Sequence, residues 1–410
     1  MKPAIVIFSH VVGLGVIRAL GRMGVPVVAM HYRESEMAHL SRFVKERIRV
    51  PDPGKAETEF IAKLLDLSPR FKGSLLIPTD DFTVVALSRN KETLAGHYCV
   101  AAQEWDMTKR LIRKQHTYAF AQRLGIPCPA TFIPSSLDDL RSRARGISYP
   151  CLVKPCEGHT FFEQFGAKML KVVNEEDLLA THARVTSAGM KMMIQELIPG
   201  DDGQGVNYNS YFVDGAPIAE FTAKKVRIEP PFFGSPRVLV SRHIPEIVEP
   251  GRLLIKSLGY EGFSCMEFKK DSRDGIYKLM EINCRNNLTG SLAVRCGINF
   301  PWLMYRHLLY GEINPRSGFE SDVFWIDIAH DCKRFFVSRK EEGYSLREYV
   351  KPYLCKKVFA VLSFTDPLPF LKRLFYFAQL GCRRIGRVMK HKGIRAKSAI
   401  DRKSSWAKGM

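Results

Sequence analysis

Residues 263–283 read FSCMEFKKDSRDGIYKLMEIN. Two runs rich in apolar residues, 263–268 and 276–283, flank the sequence DSRDG at 271–275. Aspartate, serine and glycine are the residues that tight turns favour, so the pattern predicts a β-hairpin.

Two carboxylates face each other across this predicted hairpin. If the turn is centred on Asp274, Glu267 stands opposite Glu281, about 5 Å away, and Asn283 shares the face of Glu281 because side chains alternate along a strand. Such a pair destabilises a sheet unless a cation lies between the two acids. Oxygen ligands of this kind suit Mg²⁺, so the pattern predicts a magnesium site. In the alternative, both glutamates face water and pair with Lys269, Lys278 or Arg285.

Two lysines upstream are candidates for binding phosphate. Lys109 lies near the start of a long amphipathic helix that is predicted from Asp106 to about Gly125. Lys154 ends the apolar strand YPCLVKP at 149–155, where a proline stops the strand ladder. A partly buried ammonium needs an anionic partner, and a nucleotide phosphate is one. Taken alone, either lysine is more often a surface charge.

A third strand, MMIQELIPG at 192–200, precedes Asp201 and Asp202. Backbone groups on a strand that breaks at Pro-Gly can pair with an adenine edge, and a following carboxylate can accept hydrogen bonds from ribose hydroxyls. This nucleotide-binding interpretation is not specific in isolation.

The N-terminal region has the pattern of a β-α-β unit. Apolar runs at 4–8 and 25–30 enclose a helical segment, which predicts a parallel sheet covered by helices. Gly13 and Gly15 resemble the start of a dinucleotide-binding fingerprint, but Arg18 stands where its third glycine is needed, which argues against NAD binding.

A further apolar run at 75–78 is followed by Asp80 and Asp81. Polar residues after a parallel strand lie where open α/β sheets bind ligands, so they are candidates for substrate contact. Capping of the next helix is an equally good interpretation.

Composition excludes several classes of protein. Of 410 residues, 46% are hydrophobic and 25% charged, which argues against a mainly disordered or collagen-like chain. No run reaches the roughly 18 apolar residues of a membrane span, and no signal-peptide pattern is present. We therefore expect a cytoplasmic protein.

The net charge of +20 is concentrated at the C-terminus, where residues 371–410 contain twelve Lys or Arg and one acid. Such a tail suits an anionic membrane or nucleic acid, or it is merely solvated. The preceding segment FTDPLPFLKRLFYF at 364–377 is apolar, aromatic and basic together. It predicts either an interfacial helix, with residues 364–410 in peripheral contact with the inner membrane surface, or a helix packed on the core through Phe370, Leu374 and Phe377.

The order of these features resembles the ATP-grasp superfamily, specifically its carboxylate–amine ligase branch, over about residues 1–315. The resemblance implies an α/β fold, α+β in its central part. A Rossmann-like pre-ATP-grasp domain would occupy 1–104. A two-lobed ATP-grasp domain would occupy 105–315, with the nucleotide between its subdomains and a break near 190–200. A basic, partly helical C-terminal extension would occupy 316–410.

The resemblance also implies a role for each candidate residue. Nucleotide phosphates would be bound by Lys109 and Lys154. Adenine would pair with the segment that contains Gln195, Glu196 and Ile198, and the ribose with Asp202. Mg²⁺ or Mn²⁺ would be bound by Glu267, Glu281 and Asn283. The terminal phosphate or the carboxylate substrate would contact the catalytic residues Lys225, Arg227 and Arg285.

One segment departs from the family pattern. The loop at 156–166 contains few of the glycines that would expose amides to phosphate, so His159 or Lys168 would have to contribute instead. The role of this loop stays open.

An ATP-grasp ligase would use ATP and magnesium to convert a small carboxylate, for instance an amino acid, into an acyl-phosphate that an amine then attacks. The alternative is a non-catalytic nucleotide-binding protein that its basic tail holds at an anionic membrane or at nucleic acid. A dedicated nucleic-acid-binding protein is disfavoured because no zinc finger or RNA-recognition signature is present.

Overall fold

A computed structural model describes residues 1–156, 161, 164–230, 234–341 and 343–380 of the chain. Three β-sheets organise these residues, of five, four and seven strands. The predicted α/β fold with a mixed central part is confirmed.

The N-terminal sheet is parallel and has the order β3-β2-β1-β4-β5. Its strands are β1 (Ala4–Ile7), β2 (Val27–His31), β3 (Val44–Arg49), β4 (Leu75–Pro78) and β5 (Cys99–Val100). Its helices are α1 (Val11–Gly21), α2 (Glu57–Leu67), α3 (Asp81–Arg89) and α4 (Lys91–Ala95). Every residue of β1 and β4 is buried, as expected of central parallel strands with helices on both faces.

A small antiparallel sheet follows, in the order β6-β9-β7-β8. Its strands are β6 (Thr131–Phe132), β7 (Cys151–Pro155), β8 (Leu170–Val172) and β9 (Met192–Glu196). The accompanying helices are α5 (Trp105–Ile112), α6 (Lys114–Arg123), α7 (Leu137–Ala144) and α8 (Glu175–Ser187). The predicted long helix is therefore two helices, which are separated at Arg113 by an extended backbone with ψ of 97°.

The largest sheet has the order β14-β13-β10-β11-β12-β15-β16. Its strands are β10 (Gly205–Val213), β11 (Ala216–Glu229), β12 (Ser235–Ser241), β13 (Gly262–Lys270), β14 (Tyr277–Asn283), β15 (Phe324–Ile326) and β16 (Lys357–Phe359). Its helices are α9 (Val248–Leu258), α10 (Gly290–Arg295), α11 (Phe300–Tyr310), α12 (Ile328–Glu341), α13 (Leu346–Leu354) and α14, which is helical over 368–380, where the described residues end. None of the described helices is both long and apolar enough to cross a membrane.

The borders of these sheets bear on the predicted domains. The chain passes from the small sheet to the large one between Glu196 and Gly205, beside the predicted break at 190–200. The predicted boundary at 315 falls inside the large unit, because β15 pairs with β12 and β16 pairs with β15. These two strands cover an edge of β12 that would otherwise present unpaired backbone groups.

The hairpin of β13 and β14 has the predicted pairing of Glu267 with Glu281, but by a different route. Near the turn, Phe268 pairs with Leu279, so the turn centre lies half a residue before Asp274. Met280 is then an extra residue in a β-bulge, which shifts the register by one and brings the two glutamates opposite each other.

Arg18 ties the C-terminal segment to the first helix. Its guanidinium Nε lies 2.9 Å from Asp366 Oδ2, and Asp366 also accepts hydrogen bonds from the Ser41 hydroxyl at 2.7 Å and the Arg42 backbone N–H at 2.9 Å. The aspartate and Arg18 are both buried. Arg18, whose position in the sequence argued against a dinucleotide site, thus connects α1 with the segment around Asp366 near the C-terminal end of the described residues.

Candidate functional site

A row of polar side chains crosses one face of the large sheet. Asn207 on β10 pairs with Glu267 on β13, which pairs in turn with Glu281 on β14. The opposite face of the same strands is apolar and packs into a core that includes Val206, Tyr208, Met266, Phe268 and Ile282. The polar face is therefore the one available for chemistry.

Two lysines balance the paired carboxylates. Lys225 Nζ lies 2.6 Å from Glu267 Oε2, and Lys114 Nζ lies 2.9 Å from Glu281 Oε1. Burial alone would raise the pKa of Glu281, but the ammonium groups of Lys114 and Lys154 outweigh it and lower that pKa. Burial likewise disfavours a charged Lys225, yet Glu267 raises its pKa overall. Glu281 is thereby held as an anion, and each of the two carboxylates has an ammonium group beside it.

Lys114, and not the predicted Lys109, reaches this pair. Lys109 is exposed on α5, whereas Lys114 is the first residue of α6 and begins after the break at Arg113. Tyr118, one turn further along α6, donates a hydrogen bond to the bulged Met280 carbonyl at 2.6 Å. Since residues four apart lie on one helix face, this contact aims Lys114 at Glu281. The sequence carried no sign of the helix break beyond a run of basic residues.

Lys154 lies beside the carboxylates in a buried polar contact, at the strand end where it was predicted. Its ammonium donates to Gln195 Oε1 at 2.5 Å, and the Gln195 amide donates to Thr131 Oγ1 at 2.9 Å. Burial, reinforced by the nearby Lys114 charge, lowers the pKa of Lys154 to about 7. A buried ammonium whose hydrogen-bond partner among the described residues is the neutral Gln195 is well placed to bind an anion.

The predicted adenine and ribose residues lie along the connection between the small and large sheets. Glu196 accepts from the Ala130 backbone N–H at 3.1 Å and from Arg273 in the hairpin turn. The Ile198 carbonyl accepts from Lys269 at 2.9 Å. Asp202 begins a 3₁₀ turn at the entrance to β10. These contacts fasten the connection to the large sheet; the roles of the residues toward a nucleotide stay predictions.

Arg285 links the large sheet to the N-terminal sheet. Its guanidinium contacts both carboxylate oxygens of Asp81, at 2.6 and 3.2 Å. Asp80 caps α3 by accepting from the Thr83 backbone N–H at 2.9 Å, and also accepts from the Tyr32 hydroxyl at 2.7 Å. Asp80 is thus a helix cap, whereas Asp81 contacts Arg285, and contact of either aspartate with a substrate stays a prediction.

Arg227 faces the opposite side of the sheet from Lys225, so the structure does not bring it together with the other predicted catalytic residues, and its catalytic role stays a prediction. It is fully buried, contacts Asp331 at 2.8 and 3.0 Å, and lies over the Tyr349 ring at 4.2 Å. A β-bulge is the reason: Lys225 pairs with Leu239, but Arg227 pairs with the adjacent Val238. Consecutive residues point to opposite faces, so Lys225 faces the carboxylates while Arg227 faces α12.

The donor set suits a hard cation. Glu267, Glu281 and Asn283 supply oxygens on one face, and the buried Asn207 Oδ1 beside them has no hydrogen-bond partner within the described part of the chain. Among the residues that the structure describes, no group of three or more His, Cys, Asp or Glu gathers around one point. Amide oxygens would therefore have to complete a site for Mg²⁺, which takes oxygen ligands and keeps several waters.

The loop at 156–166 is only partly described by the structure. Residues 157–160, which include His159, and residues 162–163 lie outside the described part of the chain. Lys168 is described and exposed.

Comparison with known proteins gives related sequences and related folds, and no family model matches the chain. The chain is 25% identical over 261 residues to D-aspartate ligase of Enterococcus faecium, which covers 60% of this chain and 62% of that protein. Less than two thirds of that relative's length is thus represented.

Two solved structures share the fold. An L-amino acid ligase from Bacillus licheniformis superposes with a TM-score of 0.57 at 20% identity, covering 77% of this chain and 78% of that one. The biotin carboxylase domain of Hydrogenobacter thermophilus 2-oxoglutarate carboxylase, in complex with MgADP and bicarbonate, gives 0.62 at 17% identity, covering 79% and 73%.

Proposed function

We propose that this protein, a member of the ATP-grasp superfamily, is a ligase that uses ATP and Mg²⁺ to join a small carboxylate to an amine. The reaction would pass through an acyl-phosphate and release ADP and phosphate. The observation that carries this proposal is the pair Glu267 and Glu281, balanced by Lys225 and Lys114 and adjoined by Lys154. A pair of charge-balanced carboxylates on an inward sheet face is costly for a protein without catalytic use for it.

The lysines would bind and orient the triphosphate. Lys154 extends from β7 of the small sheet, whereas Lys114 begins α6 and contacts Glu281 of the large sheet, so their ammonium groups could contact phosphate oxygens from two elements. Lys225 already lies against Glu267 and can stabilise charge that builds on the transferred phosphoryl group. Mg²⁺, when bound by Glu267, Glu281 and Asn283, would neutralise phosphate oxygens and hold the triphosphate in line.

Arg285 would position the carboxylate substrate. Its guanidinium is held by Asp81 at the edge of the N-terminal sheet, where open α/β sheets bind ligands. The forked N–H donors of a guanidinium match the two oxygens of a carboxylate. Holding the carboxylate near the γ-phosphate would accelerate the reaction through proximity and orientation. The amine would then displace phosphate without any side-chain nucleophile.

We propose that at least one substrate is an amino acid. One relative by sequence is named D-aspartate ligase, and one of the similar structures is named an L-amino acid ligase. The test is phosphate release with ATP, Mg²⁺ and pairs of amino acids of both configurations, followed by mass spectrometry of the product. We expect release that depends on both partners; ATP binding without turnover for any pair would favour the non-catalytic alternative.

Replacing Lys114 with Met should lower amide-forming turnover by roughly 100-fold, because it removes a cation that balances Glu281 and contacts phosphate. The matched control is Lys109→Met, an equal change at an exposed position one helix earlier, which should stay close to the wild-type rate. Steady-state kinetics of both variants make the comparison. Equal loss of turnover in the two variants would contradict the assignment of Lys114 and would favour Lys109 as a phosphate-binding residue.

A further inference from the structure

The outer face of α14 exposes a row of large apolar side chains. Leu371, Leu374 and Phe375 stand at helical spacings of three and four and are 55%, 43% and 59% exposed. Leu368 precedes them on the helix, and Phe364, just before it, is 90% exposed. Single exposed apolar residues are ordinary, but a contiguous row of them on one element marks a contact surface.

The inner face of the same helix is firmly anchored. The buried Arg373 contacts Asp327 at 2.7 Å, and Phe370 packs against the core beneath. The segment before the helix is held by Asp366, which Arg18 and Ser41 bind. Because the helix cannot turn its apolar face inward without breaking these contacts, that face is presented outward by the fold.

Positive charge surrounds this surface. Lys372 lies on the helix between the apolar residues, and Arg42, which is exposed, donates to the Thr365 carbonyl at 3.1 Å beside Phe364. The nearby Asp366 is already neutralised in its buried pair. The following thirty residues of the sequence, 381–410, contain ten Lys or Arg and a single Asp.

We propose that this surface, defined by Phe364, Leu368, Leu371, Leu374 and Phe375, binds an anionic phospholipid membrane. Leucine and phenylalanine on one face of a helix, with lysine and arginine around them, is the composition of helices that lie in the lipid interface. The basic residues are attracted to acidic headgroups, and the apolar side chains enter the acyl boundary.

Other occupants suit the surface less well. A second copy of the chain would bring two strongly basic segments together, which repel each other. Nucleic acid would bind the positive charge through its phosphates, but these contacts do not account for the exposed leucine and phenylalanine side chains. The proposal is independent of the ligase chemistry, since none of these residues lies in the candidate site.

The test is sedimentation of the full chain with lipid vesicles. With vesicles of phosphatidylcholine mixed with phosphatidylglycerol we expect binding that weakens as salt rises, and with phosphatidylcholine alone little binding. The double variant L371E/F375E should bind the anionic vesicles at least about tenfold more weakly. The matched control L253E/I276E introduces the same two charges at exposed positions on other elements and should bind as the wild type.

A second variant guards against misfolding of the first. R383Q/R384Q/R387Q keeps the apolar face and should lose affinity together with part of the salt dependence. Equal binding to neutral and anionic vesicles, or no binding to either, would overturn the proposal. So would a dimer in light scattering that L371E/F375E dissociates, or nucleic-acid binding in the absence of vesicle binding.

Discussion

The variant Glu281→Gln is expected to lose ATP turnover by roughly 100-fold or more while keeping its fold. The glutamate lies opposite Glu267, contacts Lys114 at 2.9 Å, and has its pKa lowered by the surrounding ammonium groups despite burial. Glutamine keeps the size and one oxygen but removes the charge that would hold Mg²⁺ and the lysine together. Phosphate release measured across a range of Mg²⁺ concentrations checks the prediction.

A matched control distinguishes a metal ligand from a structural ion pair. Glu220 also lies in the large sheet and is ion-paired, with Arg252, but it faces the other side of the sheet. Glu220→Gln should therefore retain most of its turnover and its dependence on Mg²⁺. If Glu281→Gln keeps full activity, or if both variants lose it alike, the assignment of the metal site is wrong.

The hairpin was predictable because its signals are local. Alternation and the DSRDG turn were enough to pair Glu267 with Glu281, although the bulge at Met280 that completes the pairing left no trace in the sequence. The parallel N-terminal sheet was predictable for the same reason. The predicted centre of the turn lay half a residue too far along the chain. The bulge compensated for this error, so the pairing of Glu267 with Glu281 was predicted correctly although the register near the turn was not.

The errors arose where tertiary structure overrides strict periodicity. The family resemblance implied one shared role for Lys225 and Arg227, but a bulge between them sends Arg227 to the opposite side of the sheet. The sequence predicted one helix that continues through Arg113, but the first helix ends before this residue and a new helix begins at Lys114. Neither irregularity is marked by a proline or a glycine in the sequence, so the local pattern gave no indication of it.

The largest expected effect on stability is at Asp331, the partner of Arg227. Its carboxylate is fully buried and accepts from Arg227 and, at 3.4 Å, from Arg237, as well as from the Tyr353 hydroxyl at 2.6 Å. Asp331→Ala would leave the buried Arg227 guanidinium without its acid and would remove one contact of the buried Arg237. Breaking a buried pair in this way costs about 3–5 kcal/mol of unfolding free energy. Chemical denaturation followed by circular dichroism measures the loss.

A comparison with Glu320 tests whether burial of the carboxylate is the reason for the large loss of stability. Glu320 also contacts two basic side chains, Arg295 and Lys356, but at the exposed surface, so Glu320→Ala should shift the unfolding midpoint far less. Asp331→Asn should fall between the two, because it keeps an acceptor but not the charge. If Asp331→Ala leaves the midpoint unchanged and instead removes ATP turnover, Arg227 acts in catalysis after all. We expect the loss of stability to be largest in Asp331→Ala, smaller in Asp331→Asn and smallest in Glu320→Ala, with normal ATP turnover in the folded protein. That result would show that Arg227 stabilises the strand from which Lys225 reaches the carboxylates.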